Sequence, residues 1–93
     1  MKVYISGPMT GLPNLNREAF EAAEKMLDRK KCYVANPHKI ESPLDTYEGH
    51  MAADIRELTY CDAIYLLPGW SESRGAQAEF AVAKVLGLLV IDG

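Results

Sequence analysis

Two carboxylates and a tyrosine stand out in this sequence as residues equipped to break a bond. Glu79 closes the stretch Ser73-Arg74-Gly75-Ala76-Gln77-Ala78-Glu79, in which a glycine-containing loop runs into a helix and sets a carboxylate in its first turns. The loop follows the apolar run Ala63-Ile64-Tyr65-Leu66-Leu67, closed by Pro68-Gly69. It therefore leaves the carboxyl end of a buried strand, where open α/β sheets bind ligands. Asp54 has Met51 three residues before it and Leu58 four after, so it shares a helix face with apolar residues rather than with solvated charges. Tyr4 precedes the loop Ser6-Gly7-Pro8-Met9-Thr10-Gly11 by two residues, and a hydroxyl at a strand's carboxyl end can orient a carboxylate. Together the two acids offer what glycosidic cleavage needs. One attacks or shields an oxocarbenium-like carbon, and the other manages the proton of the leaving group.

Each of these residues also has a plain structural reading that the sequence leaves open. A glutamate in a helix's first turn is favoured by the helix dipole alone. Asp54 can be an edge residue paired with Arg56 or Arg74, Tyr4 an ordinary half-buried strand residue, and Ser73 only an N-cap. Trp70, read as exposed in its loop, suits stacking on a base or plugging an oligomer interface equally well. The Ser6 to Gly11 loop can present amide N–H groups to a phosphate or a sugar. It is neither a Walker loop nor a dinucleotide loop, which argues against nucleotide triphosphate hydrolysis and against a nicotinamide cofactor.

The elements that must hold these residues alternate. Lys2 to Ser6 reads as a first strand, and a helix capped by Asn16 follows, with Phe20, Ala23, Met26 and Leu27 on one stripe and its end near Lys31. Tyr33 to Ala35 is a short second strand stopped by Asn36-Pro37, and His38 to Asp45 is irregular. A second helix covers roughly Tyr47 to Tyr60, with Met51, Ile55 and Leu58 inward. The third strand leads through the Trp70 to Gly75 loop into a third helix from about Gly75 to Leu86, and Gly87 ends it before Leu88-Leu89-Val90-Ile91. The pattern βαβαβαβ predicts a small doubly wound, Rossmann or flavodoxin-like parallel sheet of order 2-1-3-4 with three helices. In that order the loops leaving strands 1 and 3 face each other across the ligand crevice.

Composition narrows the setting. The 93 residues form one domain, residues 1–93, and a parallel sheet this small is expected to associate, giving a homo-oligomer. A formal charge of −3 argues against a sequence-independent grip on nucleic acid, and the basic residues Lys25, Arg29, Lys30 and Lys31 belong to a helix end. No apolar run reaches membrane-spanning length and the chain opens directly into a strand, so a cytoplasmic protein without a membrane partner is expected. Cys32 and Cys61 read as small hydrophobes beside strands, and neither they nor His38 and His50 show metal-ligand spacing, so no metal is expected.

These residues fit a family. Val3-Tyr4-Ile5-Ser6-Gly7-Pro8-Met9, the run Asp54-Ile55-Arg56-Glu57 leading into Cys61-Asp62-Ala63-Ile64, and Ser73-x-Gly75-x-x-x-Glu79 resemble the nucleoside 2-deoxyribosyltransferases. They are still more similar to the related 2′-deoxynucleoside 5′-monophosphate N-glycosidases, in the same order over nearly the whole chain. The resemblance implies Glu79 as the nucleophile at C1′ of the deoxyribose, Asp54 as the carboxylate that helps the base depart, and Tyr4 as the residue that positions the nucleophile. It places substrate contacts at Ser6, Gly7, Pro8, Met9 and Gly11, and sets Ser73, with Gly75, where a 5′-phosphate is held. Asp62 matches a structural aspartate at the entry to strand 3. The sequence departs from the pattern in reaching Gly93 directly after strand 4, and in lacking an arginine in its first loop, where Arg74 or Arg17 is the available substitute. The implied activity is cleavage, by hydrolysis or transfer, of the N-glycosidic bond of a 2′-deoxynucleoside or its 5′-monophosphate. It needs no cofactor, takes a small-molecule nucleoside or nucleotide, and implies an oligomer in which a neighbouring subunit completes the site. The rival reading is a non-catalytic module that senses a nucleotide through the same crevice.

Overall fold

A computed structural model describes all residues from Met1 to Gly93. Strands β1 (Lys2–Ser6), β2 (Tyr33–Ala35), β3 (Ala63–Leu66) and β4 (Leu89–Asp92) alternate with helices α1 (Arg17–Arg29), α2 (Tyr47–Leu58) and α3 (Arg74–Val85). The sheet order is β2-β1-β3-β4 and every pairing is parallel, the doubly wound arrangement that the sequence pattern predicts. The chain moves outward from β1 to β2 and then back past β1 to β3. Right-handed crossovers therefore place α1 on one face of the sheet and α2 and α3 on the other.

Strand alternation then sorts β1 between two cores. Val3 and Ile5 join Phe20, Ala23, Leu27, Ala63 and Leu67 on the α1 side. Tyr4 joins Leu58, Ile64, Leu66 and Ala83 on the side of α2 and α3. By the same parity Ser6 faces the α3 side with Tyr4, and both are completely buried. Asp62 accepts a hydrogen bond from the Lys2 backbone N–H at 2.8 Å, tying the entries of β1 and β3 together. No helix is long and apolar enough to cross a membrane, and no group of three or more metal-ligating side chains converges.

Several local details differ from the sequence expectations. Asn16 stands at the N-cap position of α1 as expected, but its side chain makes no capping hydrogen bond. It sits in left-handed backbone at φ 62° at the end of the Pro13–Asn16 turn, and its side chain donates instead to the Pro8 carbonyl at 2.9 Å, which fastens the first loop. α1 stops at Arg29, and Lys31 takes the positive φ of 65° that ends it. Trp70 is not an exposed platform: a 3-10 turn at Trp70–Glu72 folds its ring onto Phe80, with centroids 4.6 Å apart. Apolar contact inside the fold outweighs exposure of so large a ring. β4 begins one residue late, and Leu89 and Val90 remain exposed together with Val85 and Leu86.

Candidate active site

The register Ser6↔Leu66 brings the carboxyl ends of β1 and β3 to the same level, and the Leu67 N–H donates to the Ser6 carbonyl at 2.8 Å. The loops leaving them then run against each other. Gly7 makes this possible, because a Cβ there would fall 2.7 Å from the Leu67 Cβ. Gly75 does the same between helices, where a Cβ would meet the Met51 sulfur at 3.3 Å. Ser73 caps α3, its hydroxyl accepting from the Ala76 N–H at 3.3 Å.

A cleft of about 350 Å³ opens between these loops and α2, at the lower end of the range for small-molecule sites. Asp54 and Glu79 both line it, with Gly7, Met9, Ser73 and Gly75 from the predicted set. Pro8 lines an adjoining cleft of about 410 Å³, where Arg74 and Glu72 also lie. Gly11 lines neither; it is exposed in a turn at φ 83°. Tyr4 and Ser6 lie beneath the floor rather than on the wall.

The geometry around Glu79 is specific. Its side chain is buried on α3, Oε2 accepts from the Tyr4 hydroxyl at 2.7 Å, and Oε1 accepts from the Ser6 hydroxyl at 2.7 Å. Burial pushes its carboxyl up from the usual range, and the two hydroxyl donors act against that rise. The Tyr4 phenol is itself raised well above its ordinary value by burial and by the nearby carboxylates, so it stays a donor. Asp54 is half-buried on α2 and forms no ion pair with Arg56 or Arg74. Burial first, and then the charge of Glu79, raise it to about 7, while His50 pulls the other way. Part of the Asp54 rise comes from an ionised Glu79. In the pair Glu79 therefore ionises first, and Asp54 is still about half protonated at neutrality.

The cleft also contains residues that sequence reasoning passed over. Tyr47 and His50 join Met51 and Asp54 on one face of α2, an extension that helical spacing alone would have supplied. His50 pairs with Asp45 at 3.0 Å on the rim. His38 follows β2, at the same carboxyl edge as the other site loops; its ring stands edge-on to Phe20 at 4.9 Å, and burial lowers its basicity. Arg17, at the start of α1, lines the cleft and has no carboxylate partner.

A doubly wound α/β domain with a ligand-sized cleft at the switch point of its sheet is the class that this arrangement defines. Residues 1–92 match the family described as a domain of unknown function, DUF4406, and the chain belongs to that family. Among solved structures it is similar to the 2-desoxiribosyltransferase from Leishmania mexicana, with a TM-score of 0.77 and 18% identity. The match covers 98% of this chain and 62% of that one, so this chain spans less than two thirds of that protein's length. At this identity the likeness shows a nucleoside 2-deoxyribosyltransferase-like fold. No curated protein matches the chain.

Proposed function

We propose that this protein cleaves the N-glycosidic bond of a 2′-deoxynucleoside or its 5′-monophosphate. The observation that carries the proposal is the pairing, in one cleft, of a buried Glu79 held at both oxygens with an Asp54 raised to about 7. Two carboxylates whose surroundings split their roles are the equipment of glycoside cleavage. The likeness to a deoxyribosyltransferase, whose fold this chain shares, supports the choice of sugar.

In the proposed reaction one oxygen of ionised Glu79 attacks C1′ as the bond from C1′ to the base nitrogen breaks. The electron pair of that bond goes to the base, which takes the proton of Asp54 and leaves neutral. An ester between Glu79 and C1′ results. Asp54, now a carboxylate, takes a proton from water as the water oxygen bonds to C1′ and the ester bond breaks, which restores both acids. A second base in place of water gives transfer instead of hydrolysis. Tyr4 positions Glu79. Gly7, Met9, Ser73 and Gly75 are assigned to the sugar and its 5′ end, beside the N-terminus of α3, whose unpaired N–H groups favour an anion there. The exposed Val85, Leu86, Leu89 and Val90 are assigned to contacts between copies of the chain.

The test is direct. Purified protein and a Glu79→Gln control are incubated with deoxynucleosides and their 5′-monophosphates, with and without a second base, and the products are separated by chromatography. Free base released by the wild type alone supports the proposal, and a new nucleoside with acceptor makes it a transferase. Thermal stabilisation by these ligands without any product would overturn it in favour of a binding module.

A further inference from the structure

Ser6 stands in the first loop's signature, where the family resemblance implies contact with substrate, yet the fold puts it elsewhere. It is the last residue of β1, it is completely buried, and it does not line the cleft. Its hydroxyl donates to Glu79 Oε1 at 2.7 Å, while Tyr4, two residues earlier on the same face of β1, donates to Oε2 at 2.7 Å. Strand periodicity explains the coincidence: residues at i and i+2 point to one side, and α3 crosses that side with Glu79 facing inward.

We infer that Ser6 is a positioning residue for Glu79 and not a substrate contact, and that it acts by fixing the second carboxylate oxygen so that the group cannot turn within its slot. This rests on the proposed function only in that Glu79 is taken as the nucleophile. One donor alone leaves a carboxylate free to rotate about its terminal bond, a broad torsion with little preference of its own. Two donors from a single rigid strand set both oxygens, and the oxygen that attacks is presented in one orientation. The second consequence is ionic. Glu79 is buried and its shift comes from burial, opposed by only the Tyr4 and Ser6 hydroxyls. The titratable groups that face it are Tyr4 from β1 and Asp54 from α2, while Arg17 at the start of α1, His38 after β2 and His50 on α2 line the same cleft without pairing with it. Losing the Ser6 hydroxyl therefore leaves the anion less supported, and the fraction of reactive carboxylate falls.

The test uses Ser6→Ala and Ser6→Cys, the second keeping a weak donor of nearly the same size. In steady-state kinetics, Ser6→Ala is expected to lower kcat roughly 10- to 100-fold, the loss of a hydrogen bond to a charged group, with KM little changed. The acid limb of its kcat/KM profile moves to higher pH, and Ser6→Cys falls between. In parallel, 13C NMR of glutamate-labelled protein follows the Glu79 carboxyl, assigned by its loss in Glu79→Gln. It is expected to titrate at higher pH in Ser6→Ala than in the wild type. A raised KM with the acid limb unmoved would make Ser6 a substrate contact and overturn the inference. So would a Glu79 titration identical in all three proteins. Because the titration is read on resting protein, it decides the role of Ser6 even if the wild type releases no base from any deoxynucleoside, the result that would sink the functional proposal alone.

Discussion

If Asp54 delivers the proton to the departing base, Asp54→Asn should separate proton transfer from every other contribution of the cleft. In the wild type Asp54 stands at about 7, so it is roughly half protonated at neutrality. Above that point the protonated fraction falls about tenfold per pH unit, giving kcat/KM for a natural deoxynucleoside a basic limb near 7. Asn keeps the shape of the side chain and has no proton to give. We expect kcat/KM to drop roughly 10²- to 10⁴-fold, the usual worth of a positioned acid, and the basic limb to disappear. The control is a 2-deoxyriboside with an activated leaving group, such as nitrophenolate, which departs as an anion and needs no acid. Leaving-group release in the first turnover on that substrate should fall by less than about tenfold, because attack by Glu79 is intact. Base release is followed by absorbance across pH 5 to 9, and the first turnover by rapid quench. Equal losses on both substrates, or a basic limb that survives in Asp54→Asn, would show that Asp54 positions substrate and does not protonate it.

The same variant changes stability with a definite sign. The folded state raises the Asp54 carboxyl above its unfolded value, so its favourable contribution is complete below about 4 and is lost as pH rises toward 7. The rise from 3.8 to about 7 sets a ceiling near ~4 kcal/mol. Partial exposure reduces this to roughly 1–2 kcal/mol, so above pH 7 Asp54→Asn should melt about 5–10 °C higher than wild type by calorimetry, with the gap narrowing toward pH 4. Gly7→Ala would set a Cβ 2.7 Å from that of Leu67, and the forced separation of the β1 and β3 loops should cost about 1–3 kcal/mol in urea denaturation and weaken ligand binding with it. Arg17→Ala removes a cleft cation with no carboxylate partner. It should raise KM for a deoxynucleoside 5′-monophosphate about tenfold or more while leaving the unphosphorylated deoxynucleoside nearly unaffected, and equal effects on both would remove it from phosphate recognition.

The sheet order was legible because its signals are local. Apolar runs closed by Pro or Gly mark β1, β2 and β3, the 3.6-residue stripe marks α1, and the handedness of crossovers leaves few ways to join them. Glu79 stood out for a different reason, the loop before it leaving the carboxyl end of β3, and Asp54 for sharing a helix face with apolar residues; the fold brings both to one cleft. What escaped depends on contacts between elements distant in sequence. The Asn16 side chain serves the Pro8 carbonyl rather than α1, and Trp70 finds Phe80 on α3 rather than solvent. Ser6 is separated from Glu79 by 73 residues, so only strand parity combined with the placement of α3 exposes their bond. His38 and His50 lack metal-ligand spacing in the sequence, and what brings both to the cleft is their place after β2 and on α2, at the sheet edge where such folds hold ligands.

The partners of the charges in this small fold point the same way as its cleft. The ion pairs, Lys2 with Glu57 and Lys39 with Glu24, lie at the surface, as does the His50–Asp45 hydrogen bond. The buried carboxylate, Glu79, has no cation at all and is supported by two neutral hydroxyls. A glutamate kept for structure alone would be stabilised better by an arginine or lysine, since an unpaired buried charge is costly. A cation would also quench the anion as a nucleophile, holding its pair of electrons in an ion pair that attack must break. Hydroxyl donors orient the carboxylate without neutralising it. In the proposed reaction the positive charge that Glu79 lacks as a direct partner is the one that develops at C1′ as the glycosidic bond stretches, so the electrostatic deficit of the resting carboxylate would be offset in the transition state, where it would lower the barrier.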